Sequence, residues 1–294
     1  YLPYADVSFT TDRIKDEKGA YTLTGANTLQ VGDRIMFRGV FCDVNYLYQC
    51  SHITYEDVTV WDGSGFAIRE LEGEGYTTLN RFAVTPGRTP AGATEKRLIS
   101  TCDATHSTNI RHGITVTNSL LEHMNDDGAN INGTFGNVTD FDAETKTLTF
   151  QATPDYQTTT AIIEAGDQLR IMTKEGLILR DTTAAQAQED SSVVLTDSFE
   201  MPDGEDVVLQ NLSASGDGFS YDNCIARNNR SRGFLIQSLN GKLTHCTAAN
   251  NGMAGILISA GLKSIFAECG YNENITVEKC LVTGNGYFAP HNKE

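Results

Sequence analysis

Four stretches in this chain follow one pattern: Gly65-Phe66-Ala67-Ile68-Arg69, Gly128-Ala129-Asn130-Ile131-Asn132, Gly233-Phe234-Leu235-Ile236-Gln237 and Gly255-Ile256-Leu257-Ile258-Ser259. Each is strand-sized, with Gly first and Ile fourth. Successive side chains on a strand point to opposite faces, so an inward Ile68, Ile131, Ile236 or Ile258 turns Arg69, Asn132, Gln237 or Ser259 outward. Ser119, Cys224 and Cys246 each precede one of these glycines by nine positions. The interval from Gly233 to Gly255 fits one coil of a stack of short parallel strands. The same register stacks Asn229 on Asn251, with Asn285 in a following coil, at a turn where Asn tolerates left-handed backbone.

These repeats predict an all-β chain, a right-handed parallel β-helix with an inserted small β-barrel or sandwich. Coil-like sequence occupies residues 38–135 and resumes over 221–294. Segments 1–37 and 136–220 lack the repeat. Leu29-Gln30-Val31-Gly32-Asp33-Arg34-Ile35 is similar to Ile163-Glu164-Ala165-Gly166-Asp167-Gln168-Leu169, so these two segments are expected to pair as one inserted barrel. Its strand candidates are Val7 to Phe9, Tyr21 to Leu23, Arg34 to Phe37, Lys146 to Gln151, Leu169 to Thr173 and Ser192 to Leu195. Removing 136–220 places Asn132 beside Gln237 on neighbouring coils.

The formal charge of −16 over 294 residues argues against nucleic acid or an anionic membrane as partner. No run reaches the ~20 apolar residues of a membrane span. The opening Tyr1-Leu2-Pro3-Tyr4-Ala5-Asp6 has neither the basic nor the apolar region of a signal peptide. Of the 7 cysteines, none forms a C-x-x-C pair, so no zinc site is expected. Cys224, Cys246 and Cys280 read as a stack of buried thiols.

Chemistry concentrates near the removable segment. Asn125-Asp126-Asp127-Gly128-Ala129-Asn130-Ile131-Asn132 carries two carboxylates and three amides where a turn enters a strand. Asp127 aligns with Arg232, about one rung away. In the preceding coil Ile99 is expected in the inward position, with Arg97 before it, Ser100 outward, and Asp103 and His106 in the following bend. Arg69 and Glu70 belong to the coil before that, and Glu268 lies beyond Ser259. Paired carboxylates among Arg, Asn and Gln suit glycoside cleavage, in which one acid protonates the leaving oxygen and a second activates water or attacks the sugar. A simple turn or calcium loop is the competing reading of Asp126-Asp127-Gly128, although the EF-type spacing is absent. His106, His112 and His123 form no compact ligand set. Trp61 offers either a sugar-facing ring or a packing residue.

The strings Leu98 to His106, Asn125 to Phe135 and Asn229 to Ser238 together resemble glycoside hydrolase family 110, α-galactosidases that act on terminal α-1,3-linked galactose, including the blood-group B determinant. The resemblance implies a β-helix with an inserted barrel, an inverting mechanism, no metal or cofactor, and a secreted, periplasmic or cell-surface bacterial-type location. It carries the acidic residues over to Asp103, Asp126 and Asp127, and places Glu268 where the family has an acid following a Trp; Phe266 stands at that aromatic position. Asp103 with Asp126 or Asp127 is the expected inverting pair. Arg69, Glu70, Arg97, His106, Asn130, Asn132, Arg232, Gln237 and Glu268 are the expected sugar-binding residues. Two alternatives stay open, a polysaccharide lyase using Arg232 or Arg97 and a non-catalytic glycan-binding β-helix.

Overall fold

The computed structural model describes residues 10–11, 23–24, 42–61, 63–87, 102–152, 163–187, 191–263 and 267–287. Two compact units divide the chain, 1–40 and 41–294. In the first, Thr10–Thr11 pairs antiparallel with Leu23–Thr24; the other strands expected over 1–37 lie outside the described residues.

The second unit is all-β and dominated by parallel sheets that the chain visits in rotation. One six-stranded sheet runs Thr54–Glu56, Thr78–Asn80, Thr115–Thr117, Ser220–Asp222, Lys242–Thr244, Thr276–Glu278. A second, also six-stranded, runs Thr59–Val60, Ala83–Val84, Leu120–Glu122, Ile225–Arg227, Thr247–Ala249, Leu281–Thr283. The third, the site sheet, orders Tyr46–Tyr48, Ile68–Leu71, Thr105–Thr108, the start of Ala129–Asp142, Phe234–Gln237 and Ile256–Ile258. Between the sheets lies one continuous apolar core that includes Leu79, Phe82, Val116, Leu121, Tyr221 and Leu243.

Glycine begins three of these rungs because there is no room for a side chain. A Cβ on Gly128 would meet the Gly233 carbonyl, and one on Gly255 would meet Asn285 Nδ2, both at 2.6 Å. The neighbours that close this space form an asparagine ladder. Asn229 N–H donates to Asn251 Oδ1 at 3.1 Å and Asn251 N–H to Asn285 Oδ1 at 2.9 Å, while Asn229 Oδ1 accepts from Met124 N–H. The left-handed turn residues are not these asparagines but those just before them, Asn228, Asn250 and Gly284, with φ of 58°, 53° and 65°. Asparagine's tolerance of that region thus serves the neighbouring position, while the ladder residue itself satisfies backbone groups.

Ser119, Cys224, Cys246 and Cys280 stack with a common hydrogen-bond habit, each donating to the carbonyl two residues earlier. Cys224 and Cys246 are buried, and the sulfurs are free thiols. Ser119 shows that a hydroxyl is satisfied in this column, donating to the Thr117 carbonyl at 2.7 Å and accepting from Phe82 N–H. Cys246→Ser should therefore cost only about 1 kcal/mol, the low end for burying a new hydroxyl, measured by urea unfolding under reducing conditions. A loss well above ~3 kcal/mol would mean the hydroxyl finds no partner there.

Register departs from expectation in the early coils. Ile68 pairs with Thr105, which pairs with Ala129. Ile68 therefore aligns with Ala129 and not Ile131, a slip of two residues that preserves which face each side chain takes. The strand of the next coil is Thr105–Thr108, later than expected; Ile99, Ser100 and Arg97 lie outside the described residues. The hydrophobic pattern missed this strand because its inward residues are Thr105 and Ser107. Ser107 Oγ donates to the buried carboxyl of Glu70 at 2.5 Å, and Thr105 Oγ1 lies 3.4 Å from the Tyr221 hydroxyl. At the far end, Ile258 pairs with Ile236 as expected but is 42% exposed, because it lies on the last described strand of the site sheet.

The strand Ala129–Asp142 joins the two architectures. Its first residues pair in parallel with Thr105–Thr108 and Phe234–Gln237. Beyond Phe135 it pairs antiparallel with Thr147–Ala152 and Val207–Asn211. Those pairings continue through Ser192–Leu195, Ile178–Ala187 and Gln168–Thr173 and close into a ring. Leu148, Phe150, Leu169, Ile171, Val193, Leu195 and Leu209 form its separate core. The described strands of this ring lie between Ala129 and Asn211. With the segment looped out, Asn132 pairs directly with Gln237.

Candidate active site

On the outer face of the site sheet, Arg69, His106 and Asn130 stand in one row across adjacent strands, and Thr108, Asn132 and Gln237 in the next row along. Glu70 falls between these rows and points the other way. Its carboxyl shares the inward face with Ile131 and Ile236, accepts from Ser107 Oγ and is held above the usual carboxylate range by burial. Strand alternation thus removes Glu70 from the expected sugar-binding set.

Three aspartates sit where turns enter the central strands. Asp103 and Asp127 are buried and Asp126 is half-buried. Asp127 N–H donates to Asp103 Oδ1 at 2.9 Å, and the other Asp103 oxygen lies 2.7 Å from His106 Nδ1. Asp127 takes the expected partner from the next coil, accepting from Arg232 N–H at 2.7 Å and from the guanidinium at 3.3 Å. Burial, reinforced by the charge of Asp126, pushes the Asp103 carboxyl well above its ordinary range. Burial also raises Asp127, against the pull of Arg232. Between two charged aspartates, each proton lost makes the next harder to lose.

Across the imidazole of His106 stands Glu268. Its Oε1 lies 3.8 Å from His106 Nε2, and its Oε2 accepts from Asn130 at 3.2 Å. The strand Glu268–Cys269 lies over this face because it pairs antiparallel with Gly133 and Thr134. Burial raises the Glu268 carboxyl despite His106 and Asn130. His106 itself is lowered by burial, leaving a neutral ring at pH 7. Phe66 packs on that ring at 4.4 Å between centroids, a contact that the sequence alone did not single out. Arg69 stacks beside Phe66 and pairs with Asp43 at 3.6 Å.

Several buried polar atoms on this face have no hydrogen-bond partner among the described residues: Arg69 Nε, His106 Nε2, Thr108 Oγ1, Asn132 Oδ1 and Gln237 Oε1. Buried polar groups are almost always paired, so five on one face of one sheet point to a polar ligand. Asn132 and Gln237 use only their amide nitrogens, toward Asn130 Oδ1 and the Glu268 carbonyl.

Oxygens of Asp103, Asp126 and Asp127 all lie within 4.8 Å of one another. The donor set does not suit a cation, because Asp127 is already paired with Arg232 and both Asp103 oxygens are engaged. One oxygen from each carboxyl thus lies closer to the others than the roughly 6.5–9.5 Å between the carboxyl groups of an inverting acid and base. Of the three histidines, His112 instead stacks on Tyr76 at 4.0 Å. Trp61 follows the strand Thr59–Val60 of the second sheet. Arg97 and Phe266 lie outside the described residues. No family model and no curated protein matches the chain. No helix among the described residues is long and apolar enough to cross a membrane.

Proposed function

We propose that the chain is a right-handed parallel β-helix carrying an inserted β-barrel, and that it is an inverting, exo-acting glycoside hydrolase releasing terminal α-1,3-linked galactose from glycans. The observation that carries the reading is the group of unpartnered polar atoms on Arg69, His106, Thr108, Asn132 and Gln237, with carboxyl groups flanking His106. A sugar with several hydroxyls meets such a set of donors and acceptors. The linkage and the galactose come from the resemblance to glycoside hydrolase family 110.

In this reading Glu268 is the acid and Asp126 the base. Asp103 and Glu268 approach opposite nitrogens of His106, at 2.7 and 3.8 Å, so Glu268 stands across the imidazole from Asp103. Glu268, whose carboxyl is raised by burial, gives its proton to the departing glycosidic oxygen. Asp126, the most accessible aspartate of the three, takes a proton from the attacking water. Asp103 positions His106, and Asp127 holds Arg232 toward the sugar. Atoms balance: water's oxygen joins the anomeric carbon, one proton goes to Asp126, and the Glu268 proton leaves with the alcohol.

The test is a screen of terminal α- and β-galactosides followed by proton NMR of the first-formed sugar. The expected result is β-galactose appearing first from an α-1,3-linked substrate. A first-formed α-anomer would overturn inversion. An unsaturated product would instead indicate a lyase, and tight binding without turnover a glycan-binding protein.

A further inference from the structure

The outer face that holds the site continues one strand beyond Arg69, onto Tyr46–Tyr48. Tyr46 is in register with Arg69 and Tyr48 with Leu71, while Leu47 between them packs against the core. Both tyrosines therefore stand on the same face as His106 and Asn132. They are 50% and 47% exposed, and their planes differ by only 14° with centroids 6.0 Å apart.

These rings are joined to the site by a chain of contacts. The Arg69 guanidinium lies 5.7 Å from the Tyr46 ring and 5.3 Å from Phe66, and Phe66 packs against His106 at 4.4 Å. Gln49 donates to the Tyr48 hydroxyl at 3.3 Å, and that hydroxyl also engages Glu72. The tyrosines thus form a held aromatic surface next to a polar one. A pyranose carries hydroxyls around its rim and C–H bonds on its faces; the polar surface suits the rim and the aromatic one the face.

We propose that Tyr46 and Tyr48 form a subsite for the sugar on the aglycone side of the scissile bond, a pyranose that lays a C–H face on the rings. The inference rests on the hydrolase reading above. An exo-acting site uses its polar groups for the terminal residue, so a second sugar must lie beyond them. Among the described residues the Tyr46–Tyr48 strand is where this face passes from buried polar groups to exposed aromatic ones.

The experiment compares two doubly substituted variants, Tyr46→Ala with Tyr48→Ala and Tyr46→Phe with Tyr48→Phe. Their substrates are a trisaccharide ending in α-1,3-linked galactose and methyl α-galactoside, which has no second sugar. The alanine pair should lower kcat/KM on the trisaccharide about tenfold, chiefly through KM, in line with the removal of aromatic stacking. Methyl α-galactoside should change less than about twofold, and the phenylalanine pair should retain trisaccharide activity because stacking does not need the hydroxyl. An equal fall in activity on both substrates, or none on either, overturns the subsite. If the unaltered protein cleaves neither substrate, the hydrolase reading falls. The subsite is then judged by saturation-transfer NMR of the trisaccharide. A second-sugar signal that disappears in the alanine pair supports the subsite, and a signal that persists overturns it.

Discussion

Glu268→Gln and Asp126→Asn should each lower turnover of an unactivated α-galactoside by at least ~100-fold, the lower end for acid–base participation, yet differ on an activated aryl galactoside. A phenol with a low pKa leaves without a proton, so Glu268→Gln should recover much of its rate on that substrate. Asp126→Asn should not, because water must still be activated whatever the leaving group. The pH profile separates them further. Burial raises the Glu268 carboxyl above its ordinary range, and an acid works only while protonated. If Glu268 is the acid, an alkaline fall in kcat/KM should be present in the unaltered protein and absent from Glu268→Gln. Asp103→Asn should keep the hydrogen bond with Asp127 N–H but alter the one with His106, moving KM as well as kcat. Near-normal turnover in both Glu268→Gln and Asp126→Asn on the unactivated substrate would end the assignment.

Much of the fold was legible where apolar residues mark the interior. The strands that follow Gly233 and Gly255 lie on adjacent parallel rungs, with Ile236 beside Ile258, as the repeat implies. The pairing of Asn132 with Gln237 across the segment between them was legible for the same reason. Legibility failed where the interior is polar. Glu70, Thr105 and Ser107 face inward and hydrogen-bond one another or Tyr221, so the strand Thr105–Thr108 carries no hydrophobic signal and the expected register ran through Ile99. The consequence reached the site: Glu70 looked outward because it follows Arg69, and His106 looked like a bend residue although it stands on the strand. The position of Glu268 beside His106 depends on a segment that crosses back over the face to pair with Gly133 and Thr134, a tertiary contact that no local pattern encodes. Asp127 with Arg232 was readable because both lie one position before equivalent glycines.

Gly233→Ala should destabilise the protein by about 3 kcal/mol, at the upper end of ordinary overpacking, although alanine is the smallest change available. The reason is space and not backbone freedom, because Gly233 is absent from the left-handed conformations that glycines occupy elsewhere in the chain, as at Gly204 with φ of 74°. A Cβ on Gly233 would fall inside contact distance of the Gly255 carbonyl oxygen and lie 2.9 Å from Asn251 Nδ2. Neither neighbour can retreat cheaply. The Gly255 carbonyl accepts from Phe234 N–H at 3.0 Å, and Asn251 Nδ2 donates to the carbonyl of Ala226 and to Asn285. The strain would pass to Arg232, the preceding residue, whose N–H and guanidinium both contact Asp127. Urea unfolding should show the destabilisation as a lower midpoint with unchanged slope. Any folded fraction should bind galactose less well, since Arg232 moves with the strand. A neutral Gly233→Ala would mean that Gly255 does not sit over Gly233, and the stacking that places Arg232 beside Asp127 would fall with it.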